Sequence, residues 1–298
     1  MGVADDEVVD VYDVIRRMGV WLVFNEFTDL LGAMSREGAG GIIINPARPL
    51  GMQRYTAAHE LGHYVLHSDL DASWDTTTEV MGSPSIHEQE AQAFASAFLM
   101  PRKLINLTLG RLHAPSAPLD ATTVYAASRD IEVSYEAMLV QLAQMKKITA
   151  EELLTLRKVK PATVKKRLGG TDSRATVKQV WTADAQRGIT ALTVNDGDEI
   201  AVTLPENPTT GYRWHSHPSG LDLVDDQFFL RDDAAVGEGG TRRLVYRAHD
   251  AGTVDQLVEE RRPFAPDDSI ANMHLRATVR MDPVQENALI LAPPLSAS

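Results

Sequence analysis

The sequence contains no cysteine. Disulfides are thereby excluded, and so is a cysteine nucleophile. No apolar run is long enough to span a membrane, which takes about 20 residues. The segment Met1 to Glu7 is acidic and lacks the basic and apolar regions of a secretory signal, so a cytoplasmic protein without a membrane partner is expected. Net positive charge is missing as well: the formal net charge of −12 opposes non-specific phosphate binding. One basic stretch, Arg157 to Arg167, breaks this trend, but no aromatic or base-reading residues interleave it and it reads as a solvated helix end or linker. Nucleic acid is therefore not an expected partner. With 298 residues, 44% of them hydrophobic, the chain can build two domains with their own cores.

The stretch that carries chemistry is Thr56-Ala-Ala-His-Glu-Leu-Gly-His-Tyr-Val-Leu-His67. His59 and His63 are one helical turn apart, so both imidazoles leave the same face and can hold one cation. Glu60 stands beside them as a candidate base. Neutral imidazole suits Zn²⁺, and a catalytic zinc keeps one position for a water whose pKa it lowers to about 7. His67 lies eight residues from His59, roughly 12 Å along a straight helix at 1.5 Å per residue, too far for one ion to bind all three histidines. It is expected to support the site rather than to ligate. Tyr55, Tyr64 and His87 join His67 as unranked candidates for orienting ligands or assisting the oxyanion.

A third ligand is expected from a second helix, His87 to Met100, which buries Ala91, Phe94, Ala95 and Phe98 and stops at Pro101. Glu90 is read as nearer the centre of that stripe than Glu88. Its carboxylate is either a metal ligand or an exposed first-turn glutamate favoured by the helix dipole.

The run Arg54 to His67, followed by Glu90-Ala-Gln-Ala-Phe-Ala95 and Phe98-Leu-Met-Pro101, resembles the ImmA/IrrE family of zinc metallopeptidases over about residues 20 to 155. The resemblance implies that His59, His63 and Glu90 ligate Zn²⁺, Glu90 standing 27 residues beyond His63, with Glu60 as base. It further implies an intracellular protein substrate of the helix-turn-helix repressor type.

Elsewhere in the first half, residues 5 to 18 read as an amphipathic helix and Trp21 to Phe24 as a strand. Ile42 to Asn45 reads as a strand, either at an edge where it could pair with extended substrate or inside the sheet. Ser68 to Thr78 reads as a solvated loop. Residues 121 to 157 read as helical, with Ser134 as a cap, and are similar to the small helical part that follows the peptidase core in that family. Domain boundaries are expected at 1–115 for the core, 116–169 for the helical extension, 170–180 for a linker, 181–285 for a second domain and 286–298 for a tail.

The second domain is a succession of short alternating segments: 189–194, 199–204, 212–215, 242–247, 253–259 and 273–280. Such spacing means a β-sandwich of immunoglobulin-like build. Asn207-Pro-Thr-Thr-Gly-Tyr212, Gly237-Glu-Gly-Gly240 and Arg262-Pro-Phe264 resemble the three loops of chagasin-type inhibitors of papain-family cysteine peptidases, over about residues 181 to 285. Phe264 replaces the family's usual Trp after Pro. The resemblance implies that Thr209, Thr210 and Gly211 form a wedge, flanked by Gly237, Gly239 and Gly240 on one side and Arg262, Pro263 and Phe264 on the other. Asn207, Pro208 and Tyr212 complete the first loop.

The fold class expected is α+β: an N-terminal zincin-like domain with a helical extension, then an all-β immunoglobulin-like sandwich. The function expected is a zinc-dependent endopeptidase acting on an intracellular regulatory protein and carrying a chagasin-like binding or inhibitor module. The alternatives are a cysteine-peptidase inhibitor or adaptor whose zinc domain is non-catalytic, and a peptidase autoinhibited by the sandwich or by the apolar tail Ala288 to Pro294.

Overall fold

The computed structural model describes residues 4–38, 40–76, 85–112, 118–171, 178–184, 190–230, 239–281 and 290–291. The chain forms two compact units, Met1–Pro161 with Asn287–Ser298, and Ala162–Glu286. The first contains α1 (Val11–Arg17), β1 (Trp21–Phe24), β2 (Leu30–Ser35), β3 (Gly41–Ile44), α2 (Leu50–Leu66), β4 (Ala72–Thr76), α3 (Ile86–Leu99), α4 (Arg102–Leu112), α5 (Ala121–Asp130), α6 (Tyr135–Gln144) and α7 (Ala150–Arg157). After α8 (Pro161–Arg167) come β5 (Val180–Asp184), β6 (Thr190–Asn195), β7 (Glu199–Glu206), β8 (Arg213–Ser216), β9 (Leu221–Leu230), β10 (Gly240–Ala248), β11 (Gly252–Arg262) and β12 (Ala265–Arg280). A last strand, β13 (Ile290–Leu291), returns to the first unit.

The sheet of the first unit runs β13-β1-β3-β2-β4, so β3 is internal and the terminal strands are β13 and β4. Ile42 and Ile44 are fully buried, as an internal strand requires. Of the two placements open for residues 42 to 45 the structure has the internal one, and one edge of the sheet is supplied instead by β4, from a stretch whose polarity reads as loop. β4 pairs with β2 alone, and a strand with one neighbour can carry polar residues on its open side. The described part of the tail pairs with β1, Val23 opposite Ile290, at the other end of the sheet from β4.

The first helix is shorter than expected. Asp10 caps it by accepting the Asp13 N–H at 3.0 Å, and Val8 and Val9 precede it. Ser134 caps α6 as expected, accepting from the Ala137 N–H at 3.0 Å. Thr149 and Glu152 close a reciprocal capping box on α7. Buried Arg54 of α2 donates to the Val9 carbonyl at 2.7 Å and the Glu132 carbonyl at 3.2 Å, tying the helix that carries the histidines to the turn between α5 and α6. No helix among the described residues is long and apolar enough to cross a membrane.

The second unit is a sandwich of two four-stranded sheets, β5-β7-β10-β9 and β6-β12-β11-β8. Ile200, Val202 and Leu204 share a core with Leu275, Ala277 and Val279, the two faces expected from their alternation, and with Trp214 and Tyr246. β5 and β9 are additional strands. β9, Leu-Asp-Leu-Val-Asp-Asp-Gln-Phe-Phe-Leu, lacks clean alternation and occupies an edge, where only one neighbour disciplines the pattern. Of the basic stretch 157–167, Lys165 is buried and donates to the Lys178 carbonyl, so it is not a solvated face throughout. Gly170 and Thr171, at the start of the expected linker, bond to the Lys165 carbonyl and the Glu199 carboxylate.

Candidate functional site

Helix α2 brings His59, Glu60 and His63 into the interior: their exposures are 4%, 0% and 1%. The helix lies close to α3 because Gly62 has no side chain. A Cβ there would stand 3.2 Å from the Ala91 Cα and 3.1 Å from the Phe94 ring. The side of α3 turned inward carries Ala91, Ala95 and Leu99. On a wheel of about 100° per residue, Glu88 falls about 60° from Ala91, inside the arc these three residues span, and Glu90 about 100° to the other side.

The third carboxylate at the histidines is consequently Glu88 rather than the expected Glu90. Even with Phe94 and Phe98 included, the centre of the stripe lies about 70° from Glu88 and about 90° from Glu90, so the spacing itself favours Glu88; the two rings are half-buried and stack on each other at 5.5 Å. The Ser85 hydroxyl caps α3 by accepting the Glu88 N–H at 3.2 Å. Glu88 Oε2 is 3.2 Å from His59 Nε2, its Oε1 is 3.1 Å from His63 Nε2, and the two Nε2 atoms are 3.2 Å apart. Ligands about 2.1 Å from a tetrahedral centre lie roughly 3.4 Å from one another, so this triangle has the dimensions and the donor set of a zinc site. Burial and the neighbouring imidazoles push the His59 pKa down to about 4, and burial with His67 and His87 does the same for His63. Both rings are therefore neutral near pH 7, with a lone pair to give.

The other predicted residues surround this triangle. Glu60 accepts a hydrogen bond from the Ser73 hydroxyl of β4 at 2.6 Å. Ser73 escapes sequence reasoning, being one hydroxyl in a polar run. His67 sits just past α2, with its Nδ1 3.1 Å from His63 Nδ1 and its Nε2 3.0 Å from Glu90 Oε2. The ring of His87 is 4.4 Å from that of His67. Tyr55 is half-buried on α2, one turn before His59. Tyr64 carries the Arg36 guanidinium on its ring at 4.5 Å. Arg36 also donates to the carbonyls of Tyr64, His67 (3.2 Å) and Leu70 (3.0 Å), satisfying the open end of α2.

At the sandwich tip, Asn207 accepts from the Thr209 N–H at 3.2 Å and the Thr209 hydroxyl at 2.7 Å, capping a 3-10 turn, Pro208–Thr210. Gly211 follows with φ +80°, a conformation that favours glycine. Tyr212 donates to Asp268 at 2.8 Å and lies under the Arg262 guanidinium at 4.5 Å, which joins the first loop to the β11–β12 hairpin. Gly240 pairs with both Glu206 and Leu230, and Arg261 with Arg213, so the three loops leave one end of the sandwich. Gly239 lies against Asn207, and Phe264 is 79% exposed beside Pro263. Gly237 falls outside the described residues.

Fold and site together define a two-domain protein: a metallopeptidase-type domain holding a His-His-Glu cluster, followed by an inhibitor-type β-sandwich. Residues 15–143 match the family model of the IrrE N-terminal-like domain, a peptidase family, and residues 193–279 match that of the chagasin family peptidase inhibitors. Chagasin of Trypanosoma cruzi is 34% identical over 76 residues, which cover 23% of this chain and 68% of that protein. The chain belongs to the chagasin family through its second domain and carries the IrrE-type domain ahead of it. Among solved structures, the cysteine protease inhibitor EhICP2 of Entamoeba histolytica is 17% identical, with 35% of this chain and 97% of that chain covered and a TM-score of 0.32. PbICP-C, solved in complex with falcipain-2, is also 17% identical, with 35% and 99% covered and a TM-score of 0.26.

Proposed function

We propose that the chain is a zinc-dependent endopeptidase that cuts an intracellular regulatory protein of the repressor type and carries a protein-binding module at the sandwich tip. The observation that carries this reading is the triangle of His59, His63 and Glu88 beside a buried Glu60. Those three side chains hold the metal. When bound, Zn²⁺ supplies a Lewis acid that activates water and polarises a substrate carbonyl.

The chain's own residues perform the proton traffic. Glu60, oriented by the Ser73 hydroxyl, accepts a proton from the attacking water at its carboxylate. It then delivers that proton to the leaving amine nitrogen as the C–N bond breaks. β4, the terminal strand that bears Ser73, offers main-chain groups along which an extended substrate segment can lie. Zinc content and cleavage are measured together on wild type and Glu60→Gln, against repressor-like proteins encoded near the gene. Zinc in both with cleavage by wild type alone supports the reading; zinc in both with cleavage in neither removes it.

A second reading is favoured by the tip. A rigid turn after Pro208, a hairpin tied to it through Tyr212 and Arg262, and an exposed Phe264 make a preorganised wedge with an aromatic anchor. In this reading the sandwich inhibits a papain-like cysteine peptidase. Titration of papain with the full chain tests it, and the absence of inhibition at micromolar concentration counts against it.

A further inference from the structure

We infer that His67 and Glu90 are positioning residues that fix the ring of His63 for the metal. The inference rests on the reading of His59, His63 and Glu88 as ligands and adds a part that this reading does not use. Two buried imidazoles and an exposed carboxylate stand in line: His63 Nδ1 to His67 Nδ1 at 3.1 Å, and His67 Nε2 to Glu90 Oε2 at 3.0 Å. His67 is 3% exposed and caps the C-terminus of α2 one turn after His63, its N–H donating to the His63 carbonyl at 3.1 Å, so the helix end brings its ring to that of His63.

The proton positions along this line follow from one another. With the Nε2 lone pair of His63 committed to a metal, its Nδ1 must carry the proton. His67 Nδ1 then accepts, which leaves the His67 proton on Nε2. That N–H points at a carboxylate, which accepts. The chain of donors closes in one direction only, and that direction presents the His63 lone pair to Glu88 and His59. By contrast, His59 Nδ1 is buried without a hydrogen-bond partner among the described residues, so the support is built for one ligand of the pair. Outer partners of this kind hold ring orientation and ligand basicity, and losing one typically weakens metal binding by about 10–100-fold.

Glu90 is thereby given a role other than ligation. Its side chain is 52% exposed and its carboxylate reaches His67 rather than the triangle. Arg36 holds the backbone from which His67 projects, by donating to the His67 carbonyl at 3.2 Å.

The test uses the full chain and reads zinc affinity by competition with a chromophoric chelator, the visible spectrum of the Co²⁺ form, and the melting of the metal-free protein. His67→Phe and Glu90→Ala are expected to weaken zinc by about 10–100-fold and to shift the Co²⁺ bands. His67→Gln, whose amide oxygen can accept from His63 Nδ1, is expected to recover most of the affinity, and Glu90→Gln to lose less than Glu90→Ala. Because Glu90 is half exposed, its variants keep the melting temperature of the metal-free protein. Wild-type affinity and spectra in all four variants overturn the inference while leaving the ligand set intact. Abolished binding in Glu90→Ala with binding kept in Glu88→Ala makes Glu90 a ligand and also overturns it. A wild-type protein that binds neither zinc nor cobalt overturns the ligand reading itself.

Discussion

The cluster on α2 and α3 is buried and assembled from side chains of several elements, whereas the sandwich tip is exposed and shaped by turns. In the first, His63, His67 and Glu60 are each held by a hydrogen bond to another side chain. In the second, a capped 3-10 turn and a hairpin present a surface, and a large apolar side chain, Phe264, faces solvent. A single substitution should therefore break chemistry at the first site without unfolding it, and break recognition at the second without touching the core. The contrast is between a buried cluster of donors and an exposed edge made of turns.

Substitutions can sharpen or dissolve this contrast. The largest effect is expected for Glu60→Gln, which should lower the cleavage rate by on the order of 10²–10⁴ with zinc content unchanged, as measured by single-turnover proteolysis and metal analysis. Trp214→Ala should destabilise the sandwich by about 3–5 kcal/mol in a denaturant melt, because that ring is buried beneath the tip and donates to the Pro205 carbonyl at 2.7 Å. Phe264→Ala should leave the melt unchanged and weaken any peptidase complex by about 2 kcal/mol; a stability loss instead would mean that Phe264 is part of the core. Gly62→Ala should push α3 outward against Ala91 and Phe94, destabilising the first unit by about 1–3 kcal/mol and loosening zinc with it.

The last effect concerns acid. His59 and His63 are held at about 4 in the fold against an ordinary value of 6.5. Between those values the unfolded chain binds protons that the folded chain does not. Stability of the metal-free protein should therefore fall as pH drops from 6.5 toward 4 and be insensitive to these groups above 6.5. A melting temperature that stays level across that window would show that neither ring is held neutral.

Much of both regions is legible in the chain. The four-residue spacing of His59 and His63 needs only helical periodicity, and the core faces of β7 and β12 need only alternation. Ser134 announces the start of α6. The choice between Glu88 and Glu90 was partly legible: the stripe of Ala91, Phe94, Ala95 and Phe98 centres about 70° from Glu88 and about 90° from Glu90, so the spacing already leans to Glu88, and the close approach of α3 at Gly62 and Ala91 settles it. β4 and β9 were hidden for another reason: strands with a single neighbour keep polar and charged residues that read as loop. Ser73 went unseen with β4, since its meaning comes only from the helix it faces.

The pairing of β13 with β1 has a consequence for the order in which the protein is made. Val23 waits for Ile290, so the sheet that packs on α2 gains its fifth strand only after the sandwich residues have been synthesised. At about 5–20 residues per second, the ribosome supplies that strand on the order of ten seconds after α7, with the entire sandwich emerging in between. Growth from the N-terminus therefore leaves β1 without this neighbour while the sandwich is made, and β13, two residues long, pairs with it afterwards.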